Sequence, residues 1–323
     1  MGSTDPVQEG EMPFHPQVQA IRDRLEHDRV PNLYTLTIEE AREADVKATV
    51  AGAGNAVPVA GVTEREIPGP AGPLRARIYK PEGDGPFPVL IYFFGGGWSL
   101  GTLDTSDDVC RRLTNAAGCL TVSVSYRLAP ENKFPAAVED AYAGAAWVAE
   151  HAAGLGADPA RIAVGGDSSG GNLTIGVTLL ARQRGGPRFV HQLLVYPNTD
   201  FHSDTPSMRE CNDEHFFNPH AVRWYWGLYL ASEEDGANPL VSPLREKDLT
   251  GLPPATLISA EFDPLRDEGE QYAARLAEAG VPVEVTRYDG MPHAFFTMTG
   301  YVDAAVQAVE QAAGRLRQAF GTD

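Results

Sequence analysis

A serine set in the pattern Gly-x-Ser-x-Gly constrains this chain more than any other feature. The pattern occupies residues 166–171, Gly-Asp-Ser-Ser-Gly-Gly, with Ser168 at its centre. An apolar, strand-like run precedes it at 161–165, and a helix-like run follows at 172–181. A serine on such a strand-to-helix turn presents its hydroxyl above the sheet edge, where the helix N-terminus favours developing negative charge. This context indicates a nucleophilic serine in preference to a Gly- and Ser-rich loop that matches by chance.

A nucleophilic serine needs a base and an acid that orients the base. After a turn of this kind the partners follow in the order Ser, Asp or Glu, His. His293 lies beyond the last strong strand signals, so it is the predicted base. Asp263 is the predicted acid, because it ends the apolar run at 255–262 and catalytic residues sit just beyond strand ends. Asp267 is the rival acid, although a carboxylate there suits the first turn of the next helix.

Three successive glycines are predicted to bind a developing oxyanion. They follow residues 89–94, an unbroken apolar run typical of a parallel strand buried on both faces. Gly95, Gly96 and Gly97 have no Cβ, so their N–H groups can point at a substrate. A flexible turn is the plain alternative. A phosphate-binding loop is not indicated, because neither Gly-Lys-Ser/Thr nor Gly-x-Gly-x-x-Gly is present.

The order of predicted elements indicates the fold class. Strand-like and helix-like segments alternate from residue 89 onward, which predicts an α/β fold with a mostly parallel sheet and helices on both faces. Residues 15–29 and 37–49 read as two helices before this alternation. The segment 201–230 interrupts it and is rich in aromatic residues. No internal repeat and no low-complexity segment is found.

Charge and cysteine content limit the possible partners. The chain of 323 residues carries a net charge of −18, so nucleic acid and anionic membrane surfaces are poor partners. No apolar run approaches the roughly 18 residues of a membrane span. Residues 1–11 lack the basic start and apolar centre of a secretory signal. The three cysteines are widely spaced, which favours a reducing cytoplasm and argues against a structural zinc site.

Taken together, these motifs resemble the hormone-sensitive-lipase-like group of α/β-hydrolase esterases, the bacterial family IV carboxylesterases. The resemblance covers about residues 70–320. It rests on Phe94-Gly95-Gly96-Gly97-Trp98, Tyr126-Arg127-Leu128-Ala129-Pro130-Glu131, Gly166-Asp167-Ser168-Ser169-Gly170-Gly171, Asp263-Pro264-Leu265-Arg266-Asp267 and Gly290-Met291-Pro292-His293.

The resemblance implies a catalytic triad of Ser168, Asp263 and His293. It also implies an oxyanion hole formed by the amides of Gly96, Gly97 and Ser169. No metal and no cofactor are expected. The expected partner is a small ester substrate, and a homodimer is left open.

The resemblance further implies a helical cap over the site. Residues 13–50 would form its N-terminal part and about 201–230 an insertion, on a catalytic domain of residues 51–323. Residues 1–12 would be disordered or a cloning remnant. Trp98, Phe94 and Phe216 are candidate pocket residues, since binding pockets are rich in aromatic side chains. A buried Arg127 must be paired, and Glu131 is its expected partner.

One residue departs from the family pattern. Phe94 stands where the family has the histidine of His-Gly-Gly-Gly. The preferred interpretation is that Phe94 anchors the glycine loop by packing. A differently set loop, an altered substrate range or an engineered substitution are the alternatives.

The predicted function is hydrolysis of short- to medium-chain carboxylic esters through an acyl-enzyme. A non-catalytic small-molecule receptor on the same fold is a second hypothesis, and the complete triad argues against it. An amidase or lactonase that uses the same triad is the third, because the acyl-enzyme chemistry is shared.

Overall fold

The computed structural model describes residues 14–323, so the prediction for residues 1–12 lies outside the described residues. The strands are β1 Gly61–Ile67, β2 Leu74–Lys80, β3 Phe87–Phe93, β4 Leu120–Val124, β5 Ala157–Asp167, β6 His191–Val195, β7 Ala255–Phe262 and β8 Val283–Pro292. The helices are α1 Pro16–His27, α2 Ile38–Ala53, α3 Asp107–Ala117, α4 Ala136–His151, α5 Ser169–Arg184, α6 Pro206–Glu210, α7 Pro219–Tyr229, α8 Arg266–Glu278 and α9 Asp303–Phe320.

The strands form one sheet in the order β1-β2-β4-β3-β5-β6-β7-β8. β1, β2 and β4 pair antiparallel, and every pair from β4 to β8 is parallel. Parallel strands place their carboxyl ends at the same edge. The ends of β3, β5, β7 and β8 therefore reach one edge, and they are the strands that precede the four predicted site segments. The predicted α/β fold with a mostly parallel sheet is confirmed.

The apolar run of β3 divides the core between the two faces of the sheet. Val89, Ile91 and Phe93 belong to the cluster that packs under α4 and α5. Leu90 and Tyr92 belong to the cluster under α3 and α9. Side chains alternate between the faces of a strand, so a strand covered on both sides must be apolar throughout.

N-cap residues mark where two of the helices begin. Thr37 caps α2 with a capping box, because its hydroxyl accepts from the Glu40 amide while the Glu40 carboxylate accepts from the Thr37 amide. α5 begins at Ser169, earlier than the predicted 172, because Ser168 itself is the N-cap.

Two further segments lie outside the alternation of strands and helices. We call residues 14–53, which contain α1 and α2, the N-terminal segment. We call residues 201–230, which contain α6 and α7, the inserted segment. Among residues 14–323, no helix is long and apolar enough to cross a membrane.

A buried carboxyl group joins α8 to the chain that enters the inserted segment. Glu268 is 1% exposed, and its Oε1 accepts from the amides of Thr199 at 2.7 Å and Asp200 at 3.2 Å. Burial raises the pKa of Glu268 to about 8, although the two hydrogen bonds favour the charged form and lower the pKa. The folded protein therefore holds this proton more tightly than the unfolded chain does.

A raised carboxyl pKa makes stability depend on pH. The contribution of Glu268 to the free energy of unfolding is fully present below the unfolded-state pKa of about 4.3. It is lost as the pH rises through the folded-state pKa of about 8. Glu268→Gln keeps an acceptor for the two amides without the charge. It should raise the free energy of unfolding by about 1–3 kcal/mol at pH 8 and change it little at pH 5. Urea unfolding at both pH values measures this. Glu278→Gln, at an exposed position of α8, is the control. A Glu268→Gln effect that is equal at both pH values would contradict the prediction.

Candidate active site

Ser168 occupies a strained turn between β5 and α5. Its φ is +54° and its ψ is −121°, values that a residue with a Cβ adopts only when the surroundings enforce them. The neighbouring glycines are required by close approach. A Cβ on Gly170 would lie 2.0 Å from the Phe93 carbonyl oxygen, and one on Gly166 would lie 2.4 Å from the Gly170 oxygen. The turn thus packs α5 against the ends of β3 and β5.

Three side chains from three strand ends meet at this turn. His293, directly after β8, has its Nε2 2.9 Å from Ser168 Oγ and its Nδ1 2.7 Å from Asp263 Oδ2. Asp263, directly after β7, is fully buried, and its Oδ1 accepts from the Leu265 amide at 2.8 Å. With a carboxylate at Nδ1, that nitrogen carries the imidazole proton, and Nε2 is free to accept the serine proton.

Asp267, the rival acid, bonds to groups other than His293. Asp267 Oδ2 accepts from the Ser207 amide at 2.8 Å, and its Oδ1 lies 2.8 Å from Arg266 Nε. Asp267 thus ties α6 to the start of α8. It is Asp263 that the structure brings against His293.

The glycine loop leaves two amides available beside the serine. Within residues 14–323, the amides of Gly96 and Gly97 donate to no protein group. The Ser169 amide lies at the first position of α5, where the N–H has no partner inside the helix. Gly97 has a φ of +58°, and a Cβ there would run into the Tyr225 ring at 2.0 Å. This part of the loop therefore accepts only glycine.

Asp167 joins the glycine loop to the serine turn, a role that the sequence reasoning missed. Its Oδ1 accepts from the Tyr92 hydroxyl at 2.8 Å and from the Gly95 amide at 3.2 Å. Burial raises the pKa of Asp167, and the Tyr92 bond opposes this rise. A carboxyl group inside an otherwise buried motif must be hydrogen-bonded, and that signal could have identified it.

Phe94 fills the position of the expected histidine by packing. Its side chain is 2% exposed and stacks on Tyr126, with ring centroids 4.5 Å apart. The Tyr126 hydroxyl donates to the Phe94 carbonyl oxygen at 2.8 Å. Tyr126 therefore holds the start of the glycine loop by contacts to both the side chain and the backbone of Phe94.

Trp98 connects the glycine loop to the inserted segment. It is 1% exposed and stacks almost parallel on Tyr229 of α7, with centroids 4.2 Å apart. It also lies against Trp226 at 4.5 Å. Most of its surface is therefore used to anchor the loop, although part of it borders the cavity described next.

A cavity of about 420 Å³ lies in front of Ser168. The N-terminal segment, the glycine loop and the inserted segment supply most of its wall, which includes all three candidate pocket residues, Trp98, Phe94 and Phe216. Phe217, which the sequence did not mark as a pocket residue, stacks on the His293 ring with centroids 4.2 Å apart. Asp45 of α2 is an acidic exception in this mostly apolar wall, and burial raises its pKa to about 6.

The predicted pairing of Arg127 with Glu131 is wrong. Arg127 instead makes a bidentate pair with Asp140 of α4, at 2.7 and 2.8 Å, and the Asp140 side chain is fully buried. Glu131 pairs with Arg42 of α2, at 2.8 and 2.7 Å. Proximity in sequence suggested the wrong acid, because only the tertiary fold brings Asp140 of α4 to Arg127 and Arg42 of α2 to Glu131.

Comparison with known proteins identifies the family. A family profile described as the alpha/beta hydrolase fold matches residues 90–297, more than half of the chain. The chain belongs to this α/β-hydrolase family. Carboxylic ester hydrolase LipN of Mycobacterium tuberculosis is 47% identical over 73% of this chain and 65% of its own length. The chain thus matches slightly less than two thirds of LipN. Esterase LipI of the same organism is 44% identical over 79% of this chain and 81% of its own length.

Solved structures agree with this assignment. An alpha/beta hydrolase enzyme from the metagenome of Lake Arreo superposes with a TM-score of 0.93 at 36% identity, over 97% of this chain and 100% of its own. A hyperthermophilic esterase from the archaeon Pyrobaculum calidifontis superposes with a TM-score of 0.91 at 39% identity, over 95% and 99%. The resemblance to hormone-sensitive-lipase-like carboxylesterases that the motifs indicated is confirmed.

The packing of Phe94 generates a stability prediction. Phe94→His replaces a stacked apolar ring by an imidazole that must find a hydrogen-bond partner in a buried position. We expect the free energy of unfolding to fall by roughly 1–3 kcal/mol. Thermal or urea unfolding at pH 8, where the imidazole is neutral by its usual pKa, measures this. Phe94→Leu, which loses the ring but adds no polar group, is the control that separates lost stacking from an imidazole without a partner. An unchanged or higher stability of Phe94→His would mean that packing does not set this loop.

Proposed function

We propose that this chain is a serine carboxylesterase that hydrolyses short- to medium-chain esters through an acyl-enzyme. The observation that carries the proposal is the continuous series of contacts from Ser168 through His293 to Asp263, at 2.9 and 2.7 Å. Relatives named carboxylic ester hydrolase, esterase and carboxylesterase support ester hydrolysis as the reaction.

In the acylation step, His293 Nε2 takes the proton of Ser168 as Oγ attacks the ester carbonyl carbon. Asp263 keeps the Nδ1 proton in place and stabilises the imidazolium that forms. The imidazolium then gives its proton to the alkoxide leaving group, and the C–O bond breaks. Asp263 is fully buried and also bound by the Leu265 amide, so its carboxylate is held in one orientation.

The amides of Gly96, Gly97 and Ser169 are proposed to stabilise the oxyanion of the tetrahedral intermediate. Gly96 and Gly97 donate to no protein group within the described residues, and Ser169 lies at a helix N-terminus. Loss of one such donor costs about 100- to 1,000-fold in kcat. Water then attacks the acyl-enzyme with His293 as the base. The bond between the acyl carbon and Ser168 Oγ breaks, His293 returns the proton to Oγ, and the carboxylic acid leaves.

The cavity supports a limit on substrate length. We propose that the N-terminal segment and the inserted segment act as a cap on the catalytic domain, because both line the 420 Å³ cavity in front of Ser168. A largely apolar pocket of this size suits a short acyl chain and a small alcohol. A relative named ethyl acetate hydrolase from Pseudomonas putida, 36% identical over 76% of this chain, supports the short-chain end of the range.

Two finer proposals concern the location and the assembly of the protein. A cytoplasmic location is supported by three cysteines that are all buried and free of disulfides. A homodimer is proposed only as an open alternative, to be tested by light scattering of the purified protein.

The triad generates the central prediction. Ser168→Ala, His293→Ala and Asp263→Asn should each lower kcat for a p-nitrophenyl ester by at least about a thousandfold. Asp267→Asn is the matched control, because this acid neighbours Asp263 but bonds to Ser207 and Arg266. A fluorophosphonate probe should label the wild type and not Ser168→Ala. Absence of labelling in a folded wild type would favour a receptor, and a severe loss in Asp267→Asn alone would overturn the acid assignment.

The cavity generates a prediction on chain length. Esters with acyl chains of about C2 to C8 should be hydrolysed with higher kcat/KM than long-chain esters or triolein emulsions, because a cavity of about 420 Å³ covers only a short chain. A panel of p-nitrophenyl esters of graded length, together with a triolein assay, measures this. Efficient triolein hydrolysis that rises at the lipid–water interface would contradict the prediction.

The Phe94→His variant also has an expected activity. If the glycine loop is set by packing, kcat should stay within about tenfold of wild type, since the backbone donors remain. A gain of about 100-fold would show that Phe94 is a defect of the loop.

A further inference from the structure

The face of α2 that meets the glycine loop carries two polar side chains, Arg42 and Asp45. Arg42 Nε donates to the Ser99 carbonyl oxygen at 2.9 Å, and its Nη2 donates to the Ala129 carbonyl oxygen at 2.9 Å. Asp45 Oδ2 accepts from the Gly101 amide at 3.2 Å. The bonds to Ser99 and Gly101 join the N-terminal segment to backbone groups directly after the three glycines, and the bond to Ala129 joins it to a second loop.

The Arg42 side chain is itself fixed in place. Its Nη1 and Nη2 make the bidentate pair with Glu131, at 2.8 and 2.7 Å. Ala129, which accepts from Arg42, donates its own amide to the Trp98 carbonyl oxygen at 2.9 Å. A guanidinium group held by a bidentate pair loses little further freedom on making additional bonds. Arg42 therefore connects α2 rigidly to the loop at Ser99 and to the loop at Ala129.

The turn that follows the glycines transmits this position to the oxyanion amides. Ser99 and Leu100 both donate their amides to the Gly96 carbonyl oxygen, at 3.1 and 2.8 Å. Gly101 packs so closely that a Cβ on it would lie 2.3 Å from the Gly95 carbonyl oxygen. A shift of residues 99–101 would therefore move the peptides of Gly96 and Gly97.

We propose that Arg42 and Asp45 are positioning residues that set the oxyanion amides through residues 99–101. The N-terminal segment then contributes to transition-state stabilisation in addition to covering the pocket. This inference rests on the proposed esterase function. A loop displaced by about 1 Å costs on the order of 100-fold in rate, so a loss of these bonds should be visible in kcat.

Arg42→Met removes the guanidinium group, and with it these hydrogen bonds, but retains an unbranched side chain that can pack in the same place. With a short p-nitrophenyl ester, we expect kcat to fall about 10- to 100-fold with KM changed less than about threefold. The inhibition constant of a trifluoromethyl ketone, whose serine adduct carries the oxyanion, should rise in proportion to the loss in kcat/KM. Arg42→Lys should recover part of the loss, because it keeps a donor without the fork.

Asp45 is tested by a matched pair of variants. Asp45→Ala removes the acceptor of the Gly101 amide and should lower kcat. Asp45→Asn keeps a carbonyl acceptor and should recover most of that loss. The two Asp45 variants still test the proposal if Arg42→Met fails to fold.

Arg184→Met is the control for loss of a bidentate ion pair, because Arg184 binds Glu139 at 2.9 and 2.7 Å outside the site. It should leave kcat and KM unchanged. If Arg42→Met and Asp45→Ala keep kcat within about twofold, or raise only KM, the segment merely covers the pocket and the inference is overturned. That outcome in an enzyme that Ser168→Ala inactivates leaves the esterase function intact, whereas hydrolysis retained by Ser168→Ala would remove the proposed function itself.

Discussion

The site depends on the close packing of α5 against the ends of β3 and β5. Gly170 approaches the Phe93 carbonyl oxygen so nearly that no side chain fits between them. In the same turn Ser168 has a positive φ, and its hydroxyl lies at the sheet edge beside His293. The close contact also brings the end of β3 beside the turn, so the glycine loop starts next to Ser168. One close contact therefore brings together Ser168 and the amides proposed as oxyanion donors.

The remaining parts of the site stabilise that arrangement from several sides. Asp167 bonds the Gly95 amide, and Tyr126 bonds the Phe94 carbonyl. Trp98 stacks on Tyr229 of the inserted segment. Arg42 of α2 holds the turn after the glycines. Electrostatic stabilisation by fixed donors requires little reorganisation, and the contacts that hold this loop suit its proposed oxyanion role.

Phe94 illustrates how one position in such a loop can change its chemistry without loss of order. A histidine there would need polar partners, whereas the phenylalanine uses the Tyr126 ring. The Tyr126 hydroxyl also donates to the Phe94 carbonyl oxygen, so this tyrosine contacts Phe94 through both its ring and its hydroxyl. The loop is therefore held by aromatic packing together with backbone hydrogen bonds.

The sequence by itself determined the elements and the order of chemical groups. Alternation of apolar runs with helix-like segments predicted the parallel sheet. The Gly-x-Ser-x-Gly motif marked Ser168, the end of an apolar run marked Asp263, and chain order marked His293. Contacts between distant segments were decided only by the tertiary structure. Arg127 pairs with Asp140 and leaves Glu131 to Arg42, since the choice among nearby carboxylates depends on how helices pack and not on their distance along the chain.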